Sequence, residues 1–122
     1  MNLLIVDDSL EMRLEIIDLV ANIAYQIHEC ANGTDAVAAY AQHKPDWVLM
    51  DIMMQGGDGI EATRQIVARW PDAKVVIVTS YDDADLKAAA KAAGATDYVS
   101  KENLLDVRRV LLAETHQANS KA

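Results

Sequence analysis

The chain is short of cysteine, of positive charge and of long apolar runs, and each shortage excludes something. Its single cysteine, Cys30, permits no internal disulfide, which suits a reducing compartment. With no base near it in sequence, Cys30 reads as a small packing residue rather than a nucleophile. Lysine and arginine number 11 against 19 aspartates and glutamates, giving a formal charge of -8. That balance repels phosphate backbones and anionic lipid, so direct binding of nucleic acid or of a membrane surface by this chain is not expected. No apolar stretch approaches the ~18 residues of a bilayer span, and Met1-Asn2-Leu3 leads into a strand pattern without the basic start of a secretory leader. A cytoplasmic protein is expected. Internal repeats and low-complexity tracts are absent. Gly56, Gly57 and Gly59 lack the lysine and the spacing of a nucleotide-phosphate loop, which excludes ATP binding there. His28, His43 and His116 show no metal-ligand spacing.

What is present is organised around strands that end in acids. At 122 residues there is room for one domain, able to bury roughly two-thirds of its unfolded surface. Trp47-Val48-Leu49-Met50 is an unbroken apolar run, the mark of a strand buried on both faces, and it ends in Asp51. Leu3-Leu4-Ile5-Val6 ends the same way, in Asp7-Asp8. Two such strands side by side, ~4.8 Å apart, bring three carboxylates to one edge of a sheet. Two carboxylates ~4 Å apart repel by about 4 kcal/mol at an effective dielectric near 20, so a cation is expected between them.

The rest of the pattern alternates. Ser9 caps a helix expected to run to Ile23, with Leu10, Leu14, Ile16, Ile17, Val20 and Ile23 as its apolar stripe. An edge strand is expected over 26–31, a turn at Asn32-Gly33 and a helix over 35–42 that Lys44-Pro45 stops. After Asp51, the glycines of the 55–59 stretch predict a mobile loop. A helix carrying Ile60, Thr63, Ile66, Val67 and Trp70 ends at Pro71, and an apolar strand over 74–78 ends in Thr79-Ser80. Asp82, Asp83 and Asp85 open an alanine-rich helix that Gly94 terminates; they read as partners of the helix dipole rather than as a second metal site. A last strand over 96–100 is followed by Lys101 and by a helix with Leu104, Leu105, Val107, Val110, Leu111 and Leu112. Residues after Thr115 are polar and are expected to fray. Five strands alternating with five helices predict a parallel sheet covered on both faces, with ligands bound at the carboxyl ends of the strands. Asp7, Asp8, Asp51, Thr79 and Lys101 all fall at those ends.

Asp7-Asp8, Asp51, Thr79, and Tyr98 with Lys101 three positions later resemble the receiver domain of two-component response regulators, over the chain from about Asn2 to Thr115. The resemblance implies a flavodoxin-like (βα)5 fold, a doubly wound three-layer α/β/α sandwich of strand order 2-1-3-4-5, with the receiver domain over 1–116 and a polar tail over 117–122. It implies that Asp51 accepts a phosphoryl group from a sensor histidine kinase or a histidine phosphotransfer protein, the domain catalysing only its own phosphorylation and dephosphorylation. It further implies that Asp8, Asp51 and the backbone carbonyl of Met53 bind Mg2+ (or Mn2+) directly, with Asp7 acting through water. Lys101 and Thr79 would meet the phosphoryl oxygens, and Thr79 and Tyr98 would form the switch. The output face would be the fourth helix, last strand and last helix, open to homodimer formation and to a fused or separate output domain.

Three positions depart from the family pattern. Gln55 replaces a usual proline and is followed by Gly56-Gly57. Glu102 replaces the proline that usually follows the lysine through a cis bond, so a trans Lys101–Glu102 bond is expected. Met53 is apolar at a position that tunes dephosphorylation and would shield the phosphoryl group from water. Two other functions were weighed: a receiver-like interaction module that is never phosphorylated, and an aspartyl-phosphate hydrolase of the haloacid-dehalogenase type. The hydrolase needs a second acid where Met53 stands, and a cap insertion that the chain lacks.

Overall fold

The computed structural model describes residues 1–55 and 57–121, with side chains described as far as residue 113 and not for Gly57. The mobility expected at Gly56, His116, and the frayed end and 116/117 boundary, so far as they concern side chains, lie outside the described residues. In chain order the elements are β1 (Asn2–Val6), α1 (Leu10–Val20), β2 (Gln26–Cys30), α2 (Gly33–His43), β3 (Trp47–Met50), β4 (Met53–Met54), β5 (Gly57–Asp58), α3 (Gly59–Arg69), β6 (Val75–Thr79), α4 (Ala84–Ala93), β7 (Asp97–Ser100), a 3-10 turn (Lys101–Asn103) and α5 (Leu105–Lys121). The main sheet has the order β2-β1-β3-β6-β7, all parallel. Once the small antiparallel ribbon β4-β5 is set aside, this is the 2-1-3-4-5 order of the expected fold.

Alternate residues of each strand feed two cores, as the two-residue period of a strand requires. Leu4, Val6, Val48, Met50, Val75 and Ile77 face Ala36, Tyr40, Ile60, Ile66 and Ala90, from α2, α3 and α4. Leu3, Ile5, Leu49, Val76, Val78 and Val99 face Ile16, Val20, Val107 and Leu111, from α1 and α5. Each fully buried aliphatic side chain contributes roughly 1.5–3 kcal/mol from removal of apolar surface, and β1 and β3 are buried along almost their whole length. Such strands can carry polar groups only where they end.

Polar caps fix the helix starts. The side chains of Ser9, Asn32, Asp58 and Asp83 accept main-chain N–H bonds from the first turns of α1, α2, α3 and α4. Asn32 therefore begins α2 rather than making a separate turn. Gly94 closes α4 at φ 105°, and a Cβ there would lie 2.8 Å from Val67 Cγ1 on α3.

The first helix corrects the sequence reading. It stops at Val20, not Ile23, and the N–H groups of Ile23 and Ala24 bond back to the Val20 carbonyl. Leu10 and Leu14 are 58% and 54% exposed. At 3.6 residues per turn they lie roughly 120° from the Ile16–Val20 line that faces the sheet, so counting apolar positions alone overstated the buried stripe. Among the described residues no helix is long and apolar enough to cross a membrane.

Candidate functional site

Strand register assembles the site. Val6 pairs with Met50, Met50 with Ile77, and Thr79 with Ser100. Asp7, Asp51, Thr79 and Lys101, each at the end of its strand or one residue past it, therefore share the carboxyl edge. The Asp51 N–H donates to the Val6 carbonyl at 2.9 Å and the Asp7 N–H to the Cys30 carbonyl at 3.0 Å, which carries the ladder into the first site residues. Asp7, Asp51 and Thr79 are buried, at 2%, 6% and 0% exposure, whereas Asp8 is exposed.

One carboxylate oxygen each from Asp7, Asp8 and Asp51 lies within 4.8 Å of the others. Lys101 Nζ stands 2.9 Å from Asp7 Oδ2 and 3.2 Å from Asp51 Oδ2. Asp51 Oδ1 accepts from the Ile52 N–H at 2.9 Å, Asp7 Oδ1 from the Ser9 N–H at 2.9 Å, and Asp8 Oδ2 from the Gln55 N–H at 3.1 Å. Asp7 Oδ2 is buried with the ammonium as its ion-pair neighbour but without a well-aligned donor. Three acids face one ammonium, and the Asp51 pKa is raised: burial is the largest cause, Lys101 pulls against it and Asp7 adds to it. Lys101 is also raised. Burial works against its charge, but the close pairing with Asp7 and the charge of Asp51 outweigh that.

A set of three converging carboxylates, two of them buried, fits a hard divalent cation such as Mg2+, which favours oxygen ligands and keeps several waters. A parallel doubly wound domain with a cluster of three acids and a lysine at its carboxyl edge defines the class to which the molecule belongs. Residues 3–113 match the model of the response regulator receiver domain, and the chain belongs to that family. Protein PilH of Pseudomonas aeruginosa is 39% identical over 117 residues, spanning 91% of this chain and 97% of PilH. Chemotaxis protein CheY of Listeria monocytogenes is 38% identical over 102 residues, spanning 83% of this chain and 86% of that protein. Among solved structures, the CheX-CheY complex with BeF3 and Mg2+ from Borrelia burgdorferi contains a chain that superposes with a TM-score of 0.87 at 25% identity, covering 93% of this chain and 88% of that one.

The hydrogen bonds of Thr79 and Tyr98 run to Tyr81 rather than to the acids. Thr79 Oγ1 accepts from the Tyr81 N–H at 3.4 Å. Tyr98, half-buried, donates its hydroxyl proton to the Tyr81 carbonyl, and Lys87 Nζ lies 5.7 Å from its ring centre. The Met53 side chain is 55% exposed. The Lys101–Glu102 bond is trans, as expected, and Lys101 opens the 3-10 turn, with the Ser100 hydroxyl accepting the Glu102 N–H.

Sequence reasoning missed Arg13, whose guanidinium bonds the Asp7 carbonyl. It also missed the Gln55 N–H on Asp8 and the approach of Gly59, where a Cβ would stand 1.8 Å from the Asp51 carbonyl oxygen. The lone signal for Arg13 was a basic residue in the first turn of the helix that follows an acid pair. His28 and His43 do meet, with rings stacked 3.6 Å apart, but that is a stack rather than a chelate.

Proposed function

We propose that the domain is a phosphoacceptor switch: a carboxylate oxygen of Asp51 attacks the phosphorus of a phosphohistidine on a sensor histidine kinase or histidine phosphotransfer protein. The N–P bond breaks, and the imidazole nitrogen leaves with the electron pair. The observation that carries this reading is the convergence of Asp7, Asp8 and Asp51 within 4.8 Å, with Lys101 3.2 Å from Asp51. Phosphoryl transfer asks the protein mainly for positioning and for charge against the equatorial oxygens. Asp8, Asp51 and the Met53 carbonyl would hold Mg2+, with Asp7 acting through water, and the ion would supply part of that charge when bound. Lys101 supplies a mobile point charge, already drawn to the Asp51 carboxylate, and the Thr79 hydroxyl supplies a donor.

The link to output runs through Tyr81. Its N–H is bonded by Thr79 and its carbonyl by Tyr98, so turning the Thr79 hydroxyl toward a phosphoryl group releases the first bond and loosens the second. Tyr98 then swings inward. Phosphorylation drives this only by favouring the inward arrangement energetically. A groove of about 290 Å3 lined by Lys87, Ala90 and Tyr98 lies between α4 and β7, two of the three elements of the α4-β7-α5 surface through which a homodimer or an output domain would read the change. Incubation with Mg2+ and acetyl phosphate is expected to add the mass of one phosphoryl group, and Asp51→Asn to abolish the gain. No gain in the unaltered chain, with Mg2+ bound, would favour an interaction module that is never phosphorylated.

A further inference from the structure

The corner that carries the two N-terminal acids is gripped by a side chain outside the proposed chemistry. Arg13 lies in the first turn of α1 and its side chain is only 14% exposed. Its Nη1 donates to the Asp7 main-chain carbonyl at 2.6 Å, and its Nε donates to Glu29 Oε1 on β2 at 2.9 Å. The Asp7 carbonyl belongs to the peptide that joins Asp7 to Asp8, so the guanidinium sets the plane from which the Asp8 side chain departs. Asp8 itself is exposed, and the bond recorded for its carboxylate comes from the main chain of Gln55. Its position therefore rests on its backbone.

We infer that Arg13 is a positioning residue for the cation site, fixing the 7–8 peptide so that the Asp8 carboxylate meets that of Asp51, and bracing the corner against the edge strand through Glu29. The inference rests on the reading of the acid cluster as a Mg2+ site. A purely Coulombic role has the opposite sign. Deleting Arg13 removes a positive charge bonded to the main chain of the acid corner, and a more negative site would bind a cation more tightly. Lysine is no substitute, because a single ammonium does not reproduce the planar fork that reaches two acceptors.

The test is calorimetric titration of the full chain with MgCl2, with circular dichroism to confirm folding. Arg13→Ala and Arg13→Lys are expected to weaken Mg2+ binding roughly tenfold, the scale at which partners of metal ligands act. The rate of labelling by acetyl phosphate should recover as Mg2+ is raised, shifting half-saturation rather than the maximal rate. Arg108→Ala is the control. Arg108 Nη1 donates to the Leu19 carbonyl at 2.8 Å, so its loss loosens the far end of α1 and should leave Mg2+ affinity unchanged. Unchanged or tighter binding in the Arg13 variants would overturn the inference, as would equal weakening in Arg108→Ala, which would mark general loosening of α1. If Arg13→Ala fails to fold, Arg13→Lys decides. Mg2+ binding without labelling would defeat the phosphoacceptor proposal alone, normal labelling with unaltered affinity in the Arg13 variants would defeat this inference alone, and no Mg2+ binding by the unaltered chain would defeat both.

Discussion

Replacing Asp51 by asparagine should stabilise the protein without a cation and destabilise it, relative to the parent, with one. The Asp51 carboxylate lies within 4.8 Å of an Asp7 oxygen and 3.2 Å from Lys101. At an effective dielectric near 20 these correspond to a repulsion of about 3.5 kcal/mol and an attraction of about 5 kcal/mol. Burial strips water from the acid, and Asp7 both repels its charge and shares Lys101, at 2.9 Å. Together these outweigh the ammonium, and the Asp51 pKa is raised. An acid whose folded pKa exceeds its unfolded value supports the fold below the unfolded value and loses that support as pH rises through the folded one. At pH 7.5 in EDTA, Asp51→Asn should therefore gain on the order of 1 kcal/mol, the remainder of nearly cancelling terms, or about 4 °C in Tm for a domain of this size. The gap should close as pH falls through the raised value. Mg2+ at 100 times its Kd adds about 2.7 kcal/mol to the parent, about 10 °C on the same scale, and little to a variant lacking one ligand. Thermal unfolding with EDTA and with MgCl2 should thus invert the order of the two proteins. A variant several degrees less stable in EDTA would show that the Lys101 pair dominates, and equal Mg2+ shifts in both would remove Asp51 from the site.

Lys101→Met leaves Asp7 and Asp51 buried without their ammonium and should cost about 3–5 kcal/mol in cation-free urea unfolding, part of it restored by Mg2+; a loss below about 1 kcal/mol would contradict the pairing. Because the Lys101 pKa is raised, its contribution should persist below the ordinary lysine value and fade as pH climbs through the folded one. Gly59→Ala places a Cβ 1.8 Å from the Asp51 carbonyl oxygen and should cost about 3 kcal/mol, at the upper end of overpacking, seen as a lower denaturation midpoint. Met53→Asn should hasten loss of the phosphoryl group after acetyl phosphate is removed, while a half-life of seconds in the parent would refute shielding by Met53. His28 has a lowered pKa, from burial first and His43 second, so its contribution is present above about pH 6.5 and lost as pH falls; His28→Gln should flatten the dependence of Tm on pH between 7.5 and 5.

The acid cluster was legible because buried strands leave few places for charge. Leu3 to Val6 and Trp47 to Met50 are almost wholly enclosed, so an acid following each had to stand at an edge, and parallel register then brought the edges together. The alternation of strands and helices carried the topology for the same reason. What periodicity could not carry was direction and distance. It counted Leu10 and Leu14 as core although they face away from the sheet, and it gave no hint that His28 would stack on His43, fifteen positions along the chain. The β4-β5 ribbon was read only as a glycine loop, since two-residue strands have no period to detect. Arg13 escaped because its acceptor is a backbone carbonyl, which leaves no trace in side-chain pattern.

The departure at position 55 shows how a local substitution alters the site. A proline there would have no N–H, whereas the Gln55 N–H donates to Asp8 Oδ2 at 3.1 Å. Asp8 is thereby tied to the loop that follows Asp51 as well as to the corner held by Arg13. The bond lies on the carboxylate that the family pattern assigns to the cation, so one lone pair of Oδ2 is engaged before any ion arrives. Cation binding must either use the remaining carboxylate lone pairs or displace that donor. In the second case the β4-β5 ribbon moves with the ion, since Gln55 directly follows β4. A proline in this place would stiffen the loop through its fixed φ; the Gln55 N–H instead couples the loop to the occupancy of the acid cluster wherever the ion displaces it.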